Sequence, residues 1–312
     1  MKKKWFIILI CLVFLGGLLS YIIKEKNEKK PKIAVVLKGT ETDYWRILIA
    51  GLEKAFDNHG VEAEFLATDN TNMSQTKILQ QVLKEKPDAL IFSPENTKLA
   101  IPILKEYKKQ NIPVLLVDTD LNWSDKASFI GTNNKLLGQK AGELLSSMSQ
   151  PNDKILIVGY VETDNVSADR IKGAKEAFHN AGIHAVIKEL KRTEQLDAEI
   201  NEIVEANSKV NGIFAVDDET ALKIMQVLKR NKWHIPVVGA DGIIKMVKNI
   251  ENGTLKATVA QNPYDMGYIS AENALKVING EKVKKEIDSD VDIITTDNAK
   301  AKIAFLENLL RE

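Results

Sequence analysis

Seven side chains in this sequence stand where a ligand would be met: Tyr44, Trp45, Asp118, Arg170, Asp217, Asp241 and Gln261. Apart from Arg170, each follows closely on a short apolar run that reads as a β-strand, and in open parallel α/β sheets ligands bind beyond the carboxyl ends of strands. Carboxylates accept hydrogen bonds from hydroxyls, whereas arginine and glutamine amide groups donate to them. Aromatic rings cover apolar C–H faces. The set therefore suits a neutral, polyhydroxylated small molecule. Carboxylates buried without a cation are costly, so Arg170 also serves as their compensating charge.

Each residue has a plainer reading as well. Trp45, Leu48, Leu52 and Phe56 fall at i, i+3, i+7 and i+11, a helical stripe that suits a core; Tyr44 lies off that stripe. Asp118, Asp217 and Asp241 each suit a helix N-cap or a strand end when taken alone. Arg170 alone suits a solvated helix surface, and Gln261 a strand end. Their weight is collective, because three aspartates occupy matching places.

Nothing in the sequence argues for catalysis. His59, His179, His184 and His234 have no partner spacing, and the H-E-x-x-H, G-x-S-x-G and G-x-x-x-x-G-K-[ST] patterns are absent. Asp217 and Asp218 are adjacent and point in different directions, whereas two-carboxylate chemistry needs facing groups. No catalytic residue, metal site or cofactor is expected. The only cysteine, Cys11, lies in the apolar N-terminal run, which leaves the body without a disulfide or a thiolate metal site. Lysine plus arginine, 43 residues, balances aspartate plus glutamate, 43 residues, so no net field favours nucleic acid.

The elements that must position these side chains alternate. Strand-like IAVVL (33–37), EFLAT (64–68), ALIF (89–92) and VLLV (114–117) are separated by helical patterns at 43–58, 73–86 and 97–110. After Gly131 a similar series begins: helix 134–149, strand 155–158, helix 168–181, a strand near 184–190, helix 195–206, strand 212–216, helix 219–231 and strand 235–240. The phrases Asn111-Ile112-Pro113-Val114 and His234-Ile235-Pro236-Val237 each set proline at a strand start, where its missing N–H costs least. The fold class is α/β, with two similar, doubly wound parallel-sheet lobes. A late helix at 263–279 and a strand at 291–295 imply that the chain crosses between lobes more than once, which would form a hinge.

The N-terminus sets the compartment. Lys2, Lys3 and Lys4 precede the uncharged run from Trp5 to Ile23, nearly long enough as a helix to cross hydrocarbon about 30 Å thick. Residues 1–23 are expected to be a transmembrane anchor or signal segment. The run ends without small residues of A-x-A type, which favours an uncleaved anchor over a removed signal. Residues 24–31 form a charged tether. The body then lies on the extracytoplasmic side of the cell membrane.

From Lys32 to about Thr295 the chain resembles the ribose/galactose-type periplasmic binding proteins of ABC transporters, which share their core with the effector domains of lactose-repressor-type regulators. The phrases that carry the resemblance are IAVVLKGTETDYW, DALIFSP, IPVLLVDTD, SADRIKGAKEAF, GIFAVDDETALKIMQVL, IPVVGADG and LKATVAQNPYDMG. It implies a type I periplasmic-binding-protein fold, with one lobe at 32–131 plus 262–292, the other at 132–261 plus 293–312, and ligand at a hinge near Gly131, Gln261 and Asp292. It implies that Tyr44 and Trp45 hold a sugar ring and that Asp118, Arg170, Asp217, Asp241 and Gln261 bind its hydroxyls. Two positions depart from the family pattern: Thr119 stands where an arginine follows the strand-end aspartate, and Asp217 stands where ribose binders carry asparagine. The repressor alternative requires an N-terminal helix-turn-helix, and an apolar span stands there instead. The expected function is a membrane-tethered protein that delivers a monosaccharide to a membrane permease. The alternative is a sensor subunit that signals to a membrane histidine kinase, to which a spanning helix would be suited.

Overall fold

The computed structural model describes residues 30–160, 165–191 and 195–311. The apolar run 5–23, expected to be an anchor, lies outside the described residues, as does most of the charged run after it. Among the described residues no helix is long and apolar enough to cross a membrane.

In chain order the first elements are β1 (Lys32–Val36), α1 (Asp43–His59), β2 (Glu62–Leu66), a single turn α2 (Thr68–Thr71), α3 (Gln75–Glu85), β3 (Ala89–Phe92), α4 (Thr97–Lys109), β4 (Val114–Val117) and β5 (Ser128–Gly131). There follow α5 (Asn134–Ser146), β6 (Lys154–Gly159), α6 (Asn165–Asn180), β7 (His184–Glu189), α7 (Leu196–Ala206), β8 (Gly212–Ala215), α8 (Asp218–Asn231), β9 (Val237–Val238), β10 (Ala240–Asp241), α9 (Ile244–Glu251) and β11 (Ala257–Gln261). The chain ends with α10 (Pro263–Ile278), β12 (Glu286–Asp288), β13 (Val291–Thr295) and α11 (Thr296–Leu309).

The first lobe is built on a parallel sheet of order β12-β5-β4-β3-β1-β2. Its central strands are buried on both faces, which is why they read as continuous apolar runs. Alternate residues divide between two cores. Ile33, Val35, Ile91, Leu115 and Val117 face α1 and α10, while Ala34, Val36, Leu90, Leu116 and Phe92 face α3 and α4. The second lobe carries the parallel sheet β7-β6-β8-β9 and one continuous core that includes Ile155, Ile157, Phe214, Val238 and Met246.

Two features depart from the sequence reading. The run 235–240 is not one strand: Gly239 interrupts it, and β10 pairs instead with β11 in a three-stranded sheet of order β10-β11-β13. A Cβ at Gly239 would stand 2.4 Å from Asp218 Oδ1, so the backbone turns there only without a side chain. Also, β13 runs antiparallel to β11 in a fold otherwise parallel. The register pairs Gln261 with Val291: β11 ends at the lobe junction and β13 begins there, which obliges opposite directions.

The chain passes between lobes after β5, after β11 and between β12 and β13. The three passages are tied together. The Thr132 hydroxyl donates to Gln261 Oε1 at 2.8 Å, Asn262 Nδ2 donates to the Ser289 carbonyl at 3.2 Å, and the Ser289 hydroxyl donates to the Gly131 carbonyl at 3.2 Å.

Candidate ligand-binding cleft

Each lobe brings one pair of closely packed helices to the junction. In the first lobe α1 crosses α10: a Cβ on Gly51 would lie 2.0 Å from the Tyr264 carbonyl oxygen, and one on Gly267 the same distance from that of Leu48. In the second lobe α5 crosses α6, where a Cβ on Gly138 would meet the Arg170 carbonyl oxygen at 1.9 Å and one on Gly173 that of Lys135 at 1.9 Å. Backbone this close admits only glycine. These crossings set the depth at which the side chains on α1 and α6 reach the cleft.

On the first face, Tyr44 and Trp45 occupy the first turn of α1, their rings edge to face with centroids 5.2 Å apart. Both are half-buried and pack on the first-lobe core. The Tyr44 hydroxyl donates to Asp118 Oδ1 at 2.7 Å. Asp118 Oδ2 accepts from Lys38 Nζ at 3.0 Å, from the Thr119 hydroxyl at 2.8 Å and from the Ser93 hydroxyl at 3.4 Å. Burial pushes this carboxyl up, but the Lys38 charge and the hydrogen bonds from Tyr44, Lys38 and Thr119 outweigh it and hold Asp118 below the usual carboxylate range. Burial, then the Asp118 charge, drives the Tyr44 hydroxyl well above its ordinary value, so it remains a donor.

On the second face, Arg170 is 4% exposed. Its Nη1 donates to Asp241 Oδ1 at 3.0 Å and to the Val216 carbonyl at 2.7 Å, and its Nε donates to Asn134 Oδ1 at 2.9 Å. Gln261 Nε2 donates to the same Asp241 oxygen at 2.6 Å. Burial pushes Asp241 up to about 6 against the pull of Arg170, with Asp217 adding repulsion. Asp218, wholly buried, is also raised, by burial first and by Asp241 second. Asp217 caps α8 by accepting from the Thr220 N–H at 2.7 Å, and its charge acts on both Arg170 and Asp241.

The two faces interact. Arg170 and Asp241 both act on the Tyr44 hydroxyl from across the junction. The structure thus brings Tyr44, Asp118, Arg170, Asp241 and Gln261 together, sets Trp45 edge to face against Tyr44, and commits the Asp217 carboxylate to a helix cap. A cleft of about 510 Å³ opens beside them between Asp118 and Thr119 on one side and Asn134 and Asp169 on the other. Two backbone positions here are unusual for non-glycine residues: Asp118 has φ 67° and Asp241 φ 118°. Such conformations cost energy and cluster at functional sites. Among the described residues no group of three or more His, Cys, Asp or Glu side chains converges as a metal site.

Lys38, Ser93 and Asn134 escaped the sequence reading. Lys38 lies two residues past β1 and Ser93 follows directly on β3, so the strand-end rule that selected Asp118 also points to them. Asn134 opens α5 and carries no such signal; only the α5–α6 crossing sets it against Arg170.

Residues 33–282 match the family described as periplasmic binding protein domain. The chain belongs to that family. This periplasmic binding protein is 23% identical over 281 residues to the ribose import binding protein RbsB of Haemophilus influenzae, covering 89% of this chain and 96% of that one. It is 26% identical over 291 residues to the D-allose-binding periplasmic protein of Escherichia coli, covering 86% and 93% respectively. Among solved structures it superposes on GanP, a glucose-galactose binding protein from Geobacillus stearothermophilus, with a TM-score of 0.78 at 24% identity, covering 87% of this chain and 99% of the other. An ABC transporter periplasmic solute binding protein from Actinobacillus succinogenes with bound D-allose gives a TM-score of 0.78 at 23% identity, covering 87% and 100%. The fold is the type I periplasmic-binding-protein fold. Membership in a family of solute-binding proteins makes this chain a binder and not an enzyme.

Proposed function

We propose that this periplasmic binding protein captures a monosaccharide outside the cytoplasm and delivers it to an ABC transporter permease. The observation that carries this reading is the meeting of two polar faces, Tyr44 with Asp118 and Arg170 with Asp241 and Gln261, across one junction. Acceptors and donors of that kind suit a molecule with hydroxyls around its whole edge. Relatives named for ribose import and for D-allose support a pentose or hexose. Lys38 fills the donor place left open by Thr119: it lies 3.0 Å from Asp118 and also donates to the Thr119 hydroxyl. The residues 32–131 with 262–292 form the first lobe in this reading, and 132–261 with 293–312 the second. The lobes close on the sugar by hinge motion about the three tied passages. Residues 1–23 anchor the protein to the membrane, with 24–31 as the tether.

Calorimetric titration of the purified protein with D-ribose, D-allose, D-arabinose, D-glucose and D-galactose tests the reading. One of these binds at one site per chain with Kd below about 10 μM, corresponding to about −7 kcal/mol. Absence of a heat of binding with all five would overturn it.

A further inference from the structure

The cleft lies at the carboxyl ends of the strands; the opposite end of the second lobe holds a different feature. There a groove of about 1090 Å³ is bounded by α8, the segment entering β9 and the segment entering β11. Its apolar wall is made by Leu222, Met225, Trp233, Ile235 and Pro236, all of them only half-buried. The volume lies just above the range for small-molecule sites, about 300–1,000 Å³. Methionine gives such a wall the adaptability to follow an apolar guest.

The rim is basic. Lys229, Lys232, Lys245 and Lys256 line it, all exposed, and among the described residues no aspartate or glutamate does. Among the described residues none of the four forms an ion pair, whereas Lys223 and Lys248, on the same two helices but off the groove, pair with Asp197 and Glu307. Helix ends account for part of this gathering. Lys229 and Lys232 close α8, where the helix dipole favours cations. Lys245 lies in the first turn of α9, at the unfavourable end, and Lys256 lies in no helix. Three segments separate in sequence thus deliver unpaired cations to one apolar groove in a chain whose net charge is zero. Such a place concentrates anions.

We propose that this groove is a second ligand site, independent of the cleft, for a small amphipathic anion: an aromatic or acyl carboxylate, sulfonate or phosphate. The apolar part rests on Met225, Trp233 and Pro236, and the anionic head meets the lysine rim. The site stands whether or not the cleft binds sugar, because the two lie at opposite ends of the strands.

The test is calorimetric titration of the full chain with naphthalene-2-sulfonate and, separately, with its uncharged counterpart 2-naphthol. The sulfonate binds at one site, at least about tenfold tighter than 2-naphthol, and the preference shrinks as salt screens exposed charge. Lys229→Glu combined with Lys245→Glu weakens sulfonate binding by about tenfold or more and leaves the thermal midpoint within a few degrees of wild type. Met225→Glu, which sets a carboxylate against the apolar wall, abolishes binding and serves as the second variant should the double change unfold the protein. Equal affinity for sulfonate and naphthol, unchanged affinity in a folded variant, or no binding up to about 1 mM overturns the proposal.

Discussion

The two faces of the cleft present the same chemical group, an aspartate at unusual φ beyond a strand end, in opposite electrostatic states. Asp118 receives four donors spread over both oxygens, one of them an ammonium, and its acidity is strengthened despite burial. Asp241 receives Arg170 and Gln261 on the same oxygen, has two aspartates for neighbours, and titrates near 6. Side-chain exposure hardly distinguishes them, at 14% and 18%. The number of donors and the company of other carboxylates decide the state. Among the described residues the first lobe gives its aspartate four side-chain donors and the second gives its aspartate two, a difference that a polyhydroxylated ligand can make up.

The largest test of this contrast removes Arg170. Arg170→Ala takes away the cation paired with Asp241 and leaves the Val216 carbonyl and Asn134 without this donor. Losing one partner of a buried charged pair costs about 2–5 kcal/mol, so affinity for the identified sugar should fall roughly thirty-fold or more by calorimetry, with a lower thermal midpoint. Unchanged affinity would show that the second face does not bind ligand.

The helix crossings come next. Gly51→Ala and Gly173→Ala each force a methyl against a carbonyl oxygen 2.0 and 1.9 Å away. Overpacking of this kind costs about 1–3 kcal/mol, seen as a melting point lower by several degrees. Equal losses are expected, since both lobes use the same device. A loss in one alone would show that the crossings are not equivalent.

Lys38→Met addresses the first face and should act more weakly, because the lysine is partly solvated and three donors to Asp118 remain. A loss of about 1 kcal/mol, several-fold in affinity, is expected. The sign with pH follows from the depressed carboxyl. Its stabilisation is present above the unfolded value near 3.9 and is lost as pH falls through the lower folded value. The stability gap between wild type and Lys38→Met should therefore close on acidification below about pH 4; a gap that persists there would assign it to packing.

The smallest effect is the pH response of the second face. A carboxyl raised to about 6 binds more protons folded than unfolded between about pH 4 and 6, so its contribution to stability declines as pH rises across that window. Ligand hydroxyls need the ionised acceptor, so sugar affinity should weaken as pH falls through about 6, and Asp241→Asn should flatten that dependence. A wild-type affinity independent of pH from 7 to 5 would remove Asp241 from the site.

Local signals determined much of this protein. Strands buried on both faces must be apolar throughout, and helices laid on a sheet must be amphipathic, so the alternating architecture and the strand-end positions of Asp118, Asp241 and Gln261 are legible in sequence. The same rule reaches Lys38, although a lysine after a strand does not announce its partner. What needed the tertiary structure is whatever depends on convergence. The ion pair between Arg170 and Asp241 joins α6 to β10, and the α5–α6 crossing at Gly138 and Gly173 fixes where α6 carries Arg170. The break at Gly239 arises because Asp218 from another element fills the space a side chain would need. Asp217 and Asp218 are indistinguishable as a dipeptide, yet one is half-buried and caps a helix while the other is wholly buried, because successive residues point to different sides of the turn. Periodicity reports how each segment meets water; only the packed chain decides which distant charges meet each other, and so which aspartate is strengthened as an acid and which is weakened.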